Sequence, residues 1–512
     1  MRFVRVAAVV AGLLFTAAAA PASAQSLSRK LDLLRLQEDA GTATVAVLQS
    51  EGKACAGQLP AMKTILADPR FDRMDADARR AFLYALMLCS EVKDAALALS
   101  AAARLEPLAS DPAEVVAVYS VKMSDALQRG ATAEAANLFL TLSDKEPAAV
   151  GEWEPEMLAA LSDDIAGEPE LTLKVLRRLV GLDWTNAASQ RAARNDWALS
   201  LAKHLADSGQ TDEAVAALAR ADEPYVLLMV AGDRRFAALW DRYQAEGRFA
   251  WTALAEADLA RARVEMAAAP ARLRPVHEIL AALRGLGRYE EAIEIGQAYQ
   301  ARIEDGELFE DSDPQANQVL LDLAQSLFDT GRTDQAQAVF KAVLARSADA
   351  PSVDGSLAWA GRLLDLGRPK EALAVLDAVD RDYMTPYGLF WLDSQRVCAM
   401  ADIDPKTAAP TLALLEKGRD ENPGALSQAL LCLNRIDDAA ALLAWRLASP
   451  RHRSGGLDPW WGSRPPPFLP PESAEFERRR QAMLAHPDSV KALAAVGRRV
   501  ETTLAGDYWG GF

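Results

Sequence analysis

The chain has 512 residues, half of them hydrophobic and a quarter charged, which supplies apolar material for a sizeable core and excludes a disordered polypeptide. Its 56 Lys and Arg stand against 72 Asp and Glu, a formal charge of -16, so no chain-wide basic face is present to meet nucleic-acid phosphates. Length alone corresponds to about three ordinary domains, but a repeat array can run this far as one unit, so internal repetition decides the architecture.

At the amino end Arg2 and Arg5 precede the apolar run Val9-Val10-Ala11-Gly12-Leu13-Leu14-Phe15, followed by Ala-rich sequence and Ala22-Ser23-Ala24. This is the pattern of a secretory signal over residues 1–24, with small residues at the cleavage point and a mature start at Gln25. The apolar core is too short for a bilayer of roughly 30 Å. No Cys stands at the cleavage point to carry a lipid, and no later run of about 20 apolar residues occurs. The short, Ala-rich leader reads as bacterial, and the expected location is the periplasm or the medium, with no membrane span.

Four cysteines follow. Cys55 and Cys89 are 34 residues apart, and so are Cys398 and Cys432. Behind a secretory signal an even count favours disulfides; of the three possible connectivities we expect Cys55 with Cys89 and Cys398 with Cys432. Residues one repeat apart in a helical array lie on equivalent helices of neighbouring units, so each bridge would staple one repeat to the next. Closing loops of that length contributes on the order of 4 kcal/mol in the chain-entropy picture. There is no C-x-x-C, which argues against a thioredoxin-like site or a zinc ribbon.

From residue 115 onward one device recurs: an apolar helical run, Gly, four residues, then Ala opening another apolar helical run. The copies are Gly130 to Ala135, Gly209 to Ala214, Gly232 to Ala237, Gly287 to Ala292, Gly331 to Ala336 and Gly367 to Ala372. A seventh, Asn434 to Ala439, replaces Gly with the next residue most tolerant of a left-handed backbone. Gly or Asn just past a helix is its favoured stop. Thr132, Thr211 and Thr333 are expected as N-caps, and Glu134, Glu213, Glu291, Glu371 and Asp438 place negative charge in the next first turn. The reading is a series of helix-turn-helix pairs, with the small Ala allowing close approach. In the clearest pair Leu320, Leu323, Ala324 and Leu327 form one inner stripe and Ala336, Val339, Phe340 and Val343 the other.

The trio Ala324, Ala336 and Phe340 resembles the tetratricopeptide repeat pattern, as do Ala360, Ala372 and Leu376, and Ala135, Phe139 and Pro147. The resemblance spans residues 115–450 in degenerate form. It implies an all-α, right-handed helical-hairpin solenoid after an N-terminal helical region over 25–114. The interval from Ala292 to Ala336 exceeds the family period of about 34, which places an insertion at the acidic stretch from Glu304 to Asp313. A weak unit is expected around Cys398 and Ala408.

Motifs that would carry chemistry are scarce. Gly285-Leu286-Gly287 begins like a dinucleotide fingerprint but lacks its third Gly and follows a helix. Asp311 and Asp313 alternate as in a calcium loop without the Gly and bidentate Glu of that arrangement. His204, His277, His452 and His486 are dispersed, with no metal-ligand spacing, and neither a G-x-S-x-G elbow nor a P-loop occurs. The Glu-Ser pair of lytic transglycosylases has only Glu472-Ser473 as a counterpart, which reads as a helix start after Pro470-Pro471. No catalytic residue, cofactor or metal site is assigned.

The helical rhythm breaks over 451–471 in a Trp/Pro-rich loop, Pro459-Trp460-Trp461 through Pro470-Pro471, and residues 446–499 hold ten Arg and Lys against five Asp and Glu. Trp460, Trp461 and Phe468 as anchors, with Arg451, Arg453 and Arg464 facing a negative partner, form the candidate partner site; burial of the Trp pair as a lid on the last repeat is the competing expectation. Residues 472–504 are expected as two capping helices parted at His486-Pro487, with a tail to Phe512. The function expected is a non-enzymatic scaffold or adaptor binding a protein or peptide, with a glycan possible. The alternatives are a polysaccharide-active enzyme with carboxylates converging in space, or a structural subunit of an envelope or export complex.

Overall fold

A computed structural model describes residues 24–49, 55–90, 94–151, 153, 158, 161, 165, 167–182, 184, 187–346 and 353–505. The expected leader up to Ser23 and the tail from Gly506 lie outside the described residues. The chain forms two compact units that divide after Leu201. The first unit contains α1 (Ala24–Gln49), α2 (Cys55–Ala67), α3 (Ala76–Ser90), α4 (Ala95–Leu105), α5 (Pro112–Gln128), α6 (Thr132–Lys145), α7 (Pro147–Val150), α8 (Pro169–Gly181) and the start of α9 (Ala187–Asp207). The second continues with α10 (Thr211–Ala217), α11 (Pro224–Gly232), α12 (Ala237–Ala245), α13 (Trp251–Ala268), α14 (Arg274–Gly285), α15 (Tyr289–Glu304), α16 (Ser312–Asp329) and α17 (Thr333–Arg346). It ends with α18 (Val353–Asp365), α19 (Pro369–Asp377), α20 (Pro386–Ile403), α21 (Ala409–Lys417), α22 (Pro423–Cys432), α23 (Ile436–Ala448), α24 (Arg453–Leu457), β1 (Trp461–Arg464), α25 (Pro471–Ala485), α26 (Pro487–Val496) and β2 (Val500–Ala505). Among the described residues no helix is long and apolar enough to cross a membrane.

Helices pair as antiparallel hairpins because of how each first helix ends. Gly130, Gly209, Gly287, Gly331 and Gly367 have positive φ, and among the described residues Asn434, at 55°, is the non-glycine residue that shares it. The next residue donates its N–H back to the carbonyl five positions earlier: Ala131 to Ala126, Gln210 to Leu205, Arg288 to Leu283, Arg332 to Leu327, Arg368 to Leu363 and Arg435 to Leu430, all at 2.8–2.9 Å. This left-handed closure satisfies one of the orphan carbonyls and reverses the chain. The alanines that open the second helices, Ala135, Ala214, Ala292, Ala336, Ala372 and Ala439, are all buried.

Two local expectations are corrected. Thr132 and Thr211 are the first residues of their helices, and the N-caps Ala131 and Gln210 make no side-chain cap bond; Thr333 likewise opens α17. The Schellman turn has already fixed the chain's entry angle, so no cap oxygen is needed to start the helix. Gly232 does not have positive φ; a Cβ there would meet Trp461 Nε1 at 3.4 Å and Val500 Cγ2 at 3.6 Å. Its small size serves close packing of the C-terminal segment.

The first helices α14, α16, α18, α20 and α22 follow one another through the second unit, with α14 against α16, α18 against α20 and α20 against α22. Their core includes Leu320, Leu323, Ala324, Leu327, Ala336, Val339, Phe340 and Val343, the two stripes read from the sequence. Phe340 stacks on Trp359 with ring centroids 5.1 Å apart, joining one hairpin to the next. The weak unit is present as α20 and α21. The acidic insertion caps α14: the Asp311 carboxylate accepts the N–H groups of Leu273 and Arg274, each at 2.8 Å. That occupies helix N-terminal donors as a carboxylate should.

Disulfides join Cys55 to Cys89 and Cys398 to Cys432, each with Cα atoms 5.1 Å apart. The second links α20 to α22, equivalent helices of neighbouring hairpins. The first links α2 to α3, which are successive rather than equivalent helices, so equal spacing arises from two different geometries.

The C-terminal region is helical only to Val496. Residues 500–505 form β2, parallel to β1 with Trp461 opposite Val500 and Gly462 opposite Glu501. This corrects the expectation of helix through residue 504: the run Val500-Glu501-Thr502-Thr503 is rich in β-branched residues and finds a strand partner. The stretch expected as a loop holds α24 and β1 as well. α26 packs on α23, the second helix of the last hairpin, while α25 touches α18, α22 and α23.

Replacing Asn434 tests the turn. Asn434→Val should cost about 1–2 kcal/mol in urea unfolding, while Asn434→Gly should cost nothing. The bridges are tested separately by mass spectrometry of unreduced protein, where we expect no free thiol; the Cys398→Ser, Cys432→Ser double variant should lose about 2–4 kcal/mol.

Candidate functional site

The ends of the first helices in the second unit form a series of backbone acceptors, and residues 461–498 are laid across them. A helix leaves its last carbonyls without intrahelical partners. Arg498 donates from its backbone N–H to Gly232 O at 2.9 Å and from Nε to Ala231 O at 2.7 Å, at the end of α11. Arg464 Nη2 donates to Leu286 O at 3.1 Å, at the end of α14. Phe468 N–H donates to Asp329 O at 2.9 Å, at the end of α16. Ser473 Oγ bonds the Asp365 carboxylate at 2.7 Å, at the end of α18. Arg479 Nη1 donates to Cys432 O at 2.8 Å and Leu431 O at 3.2 Å, at the end of α22. The C-terminal region therefore meets the carboxyl ends of five helices, four through backbone carbonyls and α18 through the Asp365 side chain.

Two turn glycines that give the hairpins their reversal also make room for this segment. A Cβ on Gly287 would collide with the Arg464 guanidinium, and one on Gly331 would lie 3.5 Å from the Phe468 ring. The Phe468 ring meets Phe328 edge-on at 5.9 Å, an arrangement favoured by the ring quadrupoles.

The candidate partner residues read from the sequence are thus largely engaged within the chain. Trp460 is 5% exposed. Trp461 is half-buried and meets Tyr225 edge-on at 5.6 Å. Arg453 donates to Leu447 O at 3.3 Å and lies 3.7 Å from Asp207. Arg464 and Phe468 sit on the helix ends as described, while Arg451 is exposed at the surface. Recognition of a hot-spot composition was possible from sequence; the surface that it faces was not.

Elements far apart in sequence meet where the second unit starts and ends. Buried Asp233 pairs with Arg235 at 2.6 Å, and Arg235 reaches Asp207 at 2.7 Å. Burial works against the Arg235 charge, but the two carboxylates outweigh it and raise the guanidinium pKa. Asp233 and Gly497 form a β-bridge, and Arg498 lies 3.9 Å from the centre of the Trp240 ring.

A polar cluster that no motif announced lies between α14 and α16. His277 Nδ1 is 2.6 Å from Asp322 Oδ2, Arg284 reaches Asp322 and Asp329 at 3.5 Å each, and Gln325 donates to Asp329 at 2.8 Å. Burial disfavours the His277 charge, yet the Asp322 carboxylate outweighs burial and the pKa rises above 6.5. His277 and Arg284 are seven residues apart, as are Asp322 and Asp329, so the pairs face each other two turns apart along neighbouring first helices. The cluster fixes the register of α14 on α16 with alternating charge. The other histidines are scattered: His452 rests against Trp445 at 4.9 Å, His486 Nδ1 accepts the Asp488 N–H at 3.3 Å, and His204 lies in α9. Among the described residues no group of three His, Cys, Asp or Glu side chains is placed to hold a metal ion.

The sequence matches no family model and no curated protein. Among solved structures it is similar to a Rap protein complexed with competence and sporulation factor. That match has 13% identity, covers 91% of this chain and 99% of that one, and has a TM-score of 0.23. A circular tandem repeat protein matches at 13% identity, covering 91% and 98% of the two chains, with a TM-score of 0.13. Both superpose loosely, and the helical-repeat architecture rests on the hairpins themselves.

The cluster has a pH signature. Because the folded His277 pKa is raised, its stabilisation is whole below the ordinary imidazole value of 6.5 and is lost as pH rises through the folded value. His277→Gln should therefore lower unfolding stability more at about pH 6 than at about pH 9; an equal loss at both would show that His277 carries no charge in the folded chain.

Proposed function

We propose that the chain is an exported, non-enzymatic scaffold of the bacterial envelope that binds a protein or peptide partner along its helical hairpins. The observation that carries this reading is intramolecular: the ends of two successive first helices already receive an extended segment of polypeptide, at Leu286 and Asp329, and the next, at Asp365, receives the start of α25. A surface that binds its own chain in this way has the geometry and the backbone acceptors to bind a segment of another. Affinity on such an array comes from many modest contacts and requires no reacting group.

Export is supported by the basic-apolar-small order of residues 1–24 and by two cysteine pairs at bonding distance, which persist in an oxidising compartment. The mature form would start at Gln25. N-terminal sequencing of protein from the periplasmic fraction should find that residue, and an intact Arg2 and Arg5 would sink the export reading.

In-cell cross-linking of the tagged full chain, followed by mass spectrometry, should enrich one or a few envelope proteins over a control. Truncation after Arg446 is a poor comparator, because it removes the donors to Gly232, Leu286 and Asp329. Point variants of the second unit serve instead. If no protein is enriched, the scaffold reading fails and glycan fragments become the ligands to screen.

A further inference from the structure

The segment that crosses the first-helix ends makes roughly one contact per hairpin: Arg464 on α14, Phe468 on α16, Ser473 on α18. Four residues of polyproline-type chain span about 12 Å, which matches an oblique step between side-by-side helices about 8–10 Å apart; the next step, to Ser473, enters α25. Pro465, Pro466, Pro467 and Pro470 restrict the segment, which bends at Pro467, so its ordering costs little entropy and it competes poorly for hydrogen bonds within itself. Its middle is open to solvent. Ser463, Arg464, Pro465, Pro467 and Leu469 are exposed, in contrast to the buried Trp460 before them and Pro470 after them.

Building on the scaffold reading, we propose that residues 463–469 are a displaceable internal ligand. They occupy the track that the second unit offers to a partner, and the partner class is an extended, proline-containing peptide with an arginine followed four residues later by phenylalanine. The chain's own sequence supplies this specification. The guanidinium caps a helix-end carbonyl above Gly287, and the aromatic ring settles between Gly331 and Phe328. The segment is anchored at Trp460, at the start of β1 and at α25, so residues 465–469 can lift once the Arg464 end of β1 parts from β2.

The test uses a fluorescein-labelled synthetic peptide of residues 459–473 and the full chain carrying Arg464→Ala with Phe468→Ala. Hydrogen exchange should be faster over 461–470 in the variant, and fluorescence anisotropy should show the peptide binding it about tenfold more tightly than the unaltered chain. The same peptide with both alanines should bind neither. Unchanged exchange in the variant, or equal peptide affinity for both proteins, overturns the proposal. Should the double variant not fold, Arg464→Ala alone, at an exposed position, should still raise peptide affinity by about two- to threefold; no rise overturns it too. The cross-linking partners of the variant separate the two levels: a partner captured equally by both chains leaves the scaffold reading standing and removes this track, whereas no partner with either removes the scaffold reading itself.

Discussion

Every first helix in this array ends with carbonyl groups that no helical N–H can reach, and the architecture of the second unit follows from how those groups are satisfied. The left-handed turn residue takes care of part of the set by returning the following N–H to the carbonyl five residues back. What is left points away from the hairpin at one edge. The C-terminal segment supplies donors for that edge on α11, α14, α16 and α22, through two arginine side chains, one arginine that uses both backbone and side chain, and one phenylalanine N–H. A buried acceptor without a partner costs about 1–3 kcal/mol, so the pairing matters most where the segment itself excludes water.

That arrangement explains what could be read in advance. Turns announce themselves because only Gly or Asn tolerates the backbone they require; hence Asn434, the substitution that kept the pattern, has the positive φ it needs. Buried alanines and the stripes of α16 and α17 follow from helical periodicity. The cysteine pairs were legible because a repeat period brings a residue near its counterpart, although only the α20–α22 bridge joins equivalent helices. Local pattern failed where the deciding contact is remote. Gly232 looks like any other turn glycine, yet its partners are Trp461 and Val500. Residues 500–505 are a strand because residues 461–464 lie beside them, and the Arg464 guanidinium finds Leu286 from 178 positions away. The same holds for the His277–Asp322 pair, which is visible in sequence only as two ordinary polar residues 45 positions apart.

Sequence separation has a second effect. Each hairpin closes over short loops and forms locally, whereas the contacts at Gly232 require residues 231 and 498 to meet across 267 positions. Loop-closure entropy grows slowly with length but is paid before any such contact contributes. The hairpins must therefore already be in place to present their ends, and the C-terminal segment reads a surface rather than creating it. This order is what makes the surface available, in principle, to a different chain.

Competition between the two depends on concentration as much as on contact quality. The crossing segment is held between Trp460 and α25, so its local concentration at the track is on the order of millimolar, as for other short tethers. Its single contacts are modest: the Arg464 bond is exposed to solvent, and Phe468 is only half-buried. A partner that reproduced just these contacts would be displaced by the tether. A partner that added contacts on the second helices would gain an advantage the tethered segment cannot match, because the proline run passes directly from α18 into α25, and the ends of α22 and α11 are already taken by Arg479 and Arg498. Selectivity on such a track then lies in reach: a short peptide with the right residues loses to the chain's own segment, and one that also engages the second helices prevails.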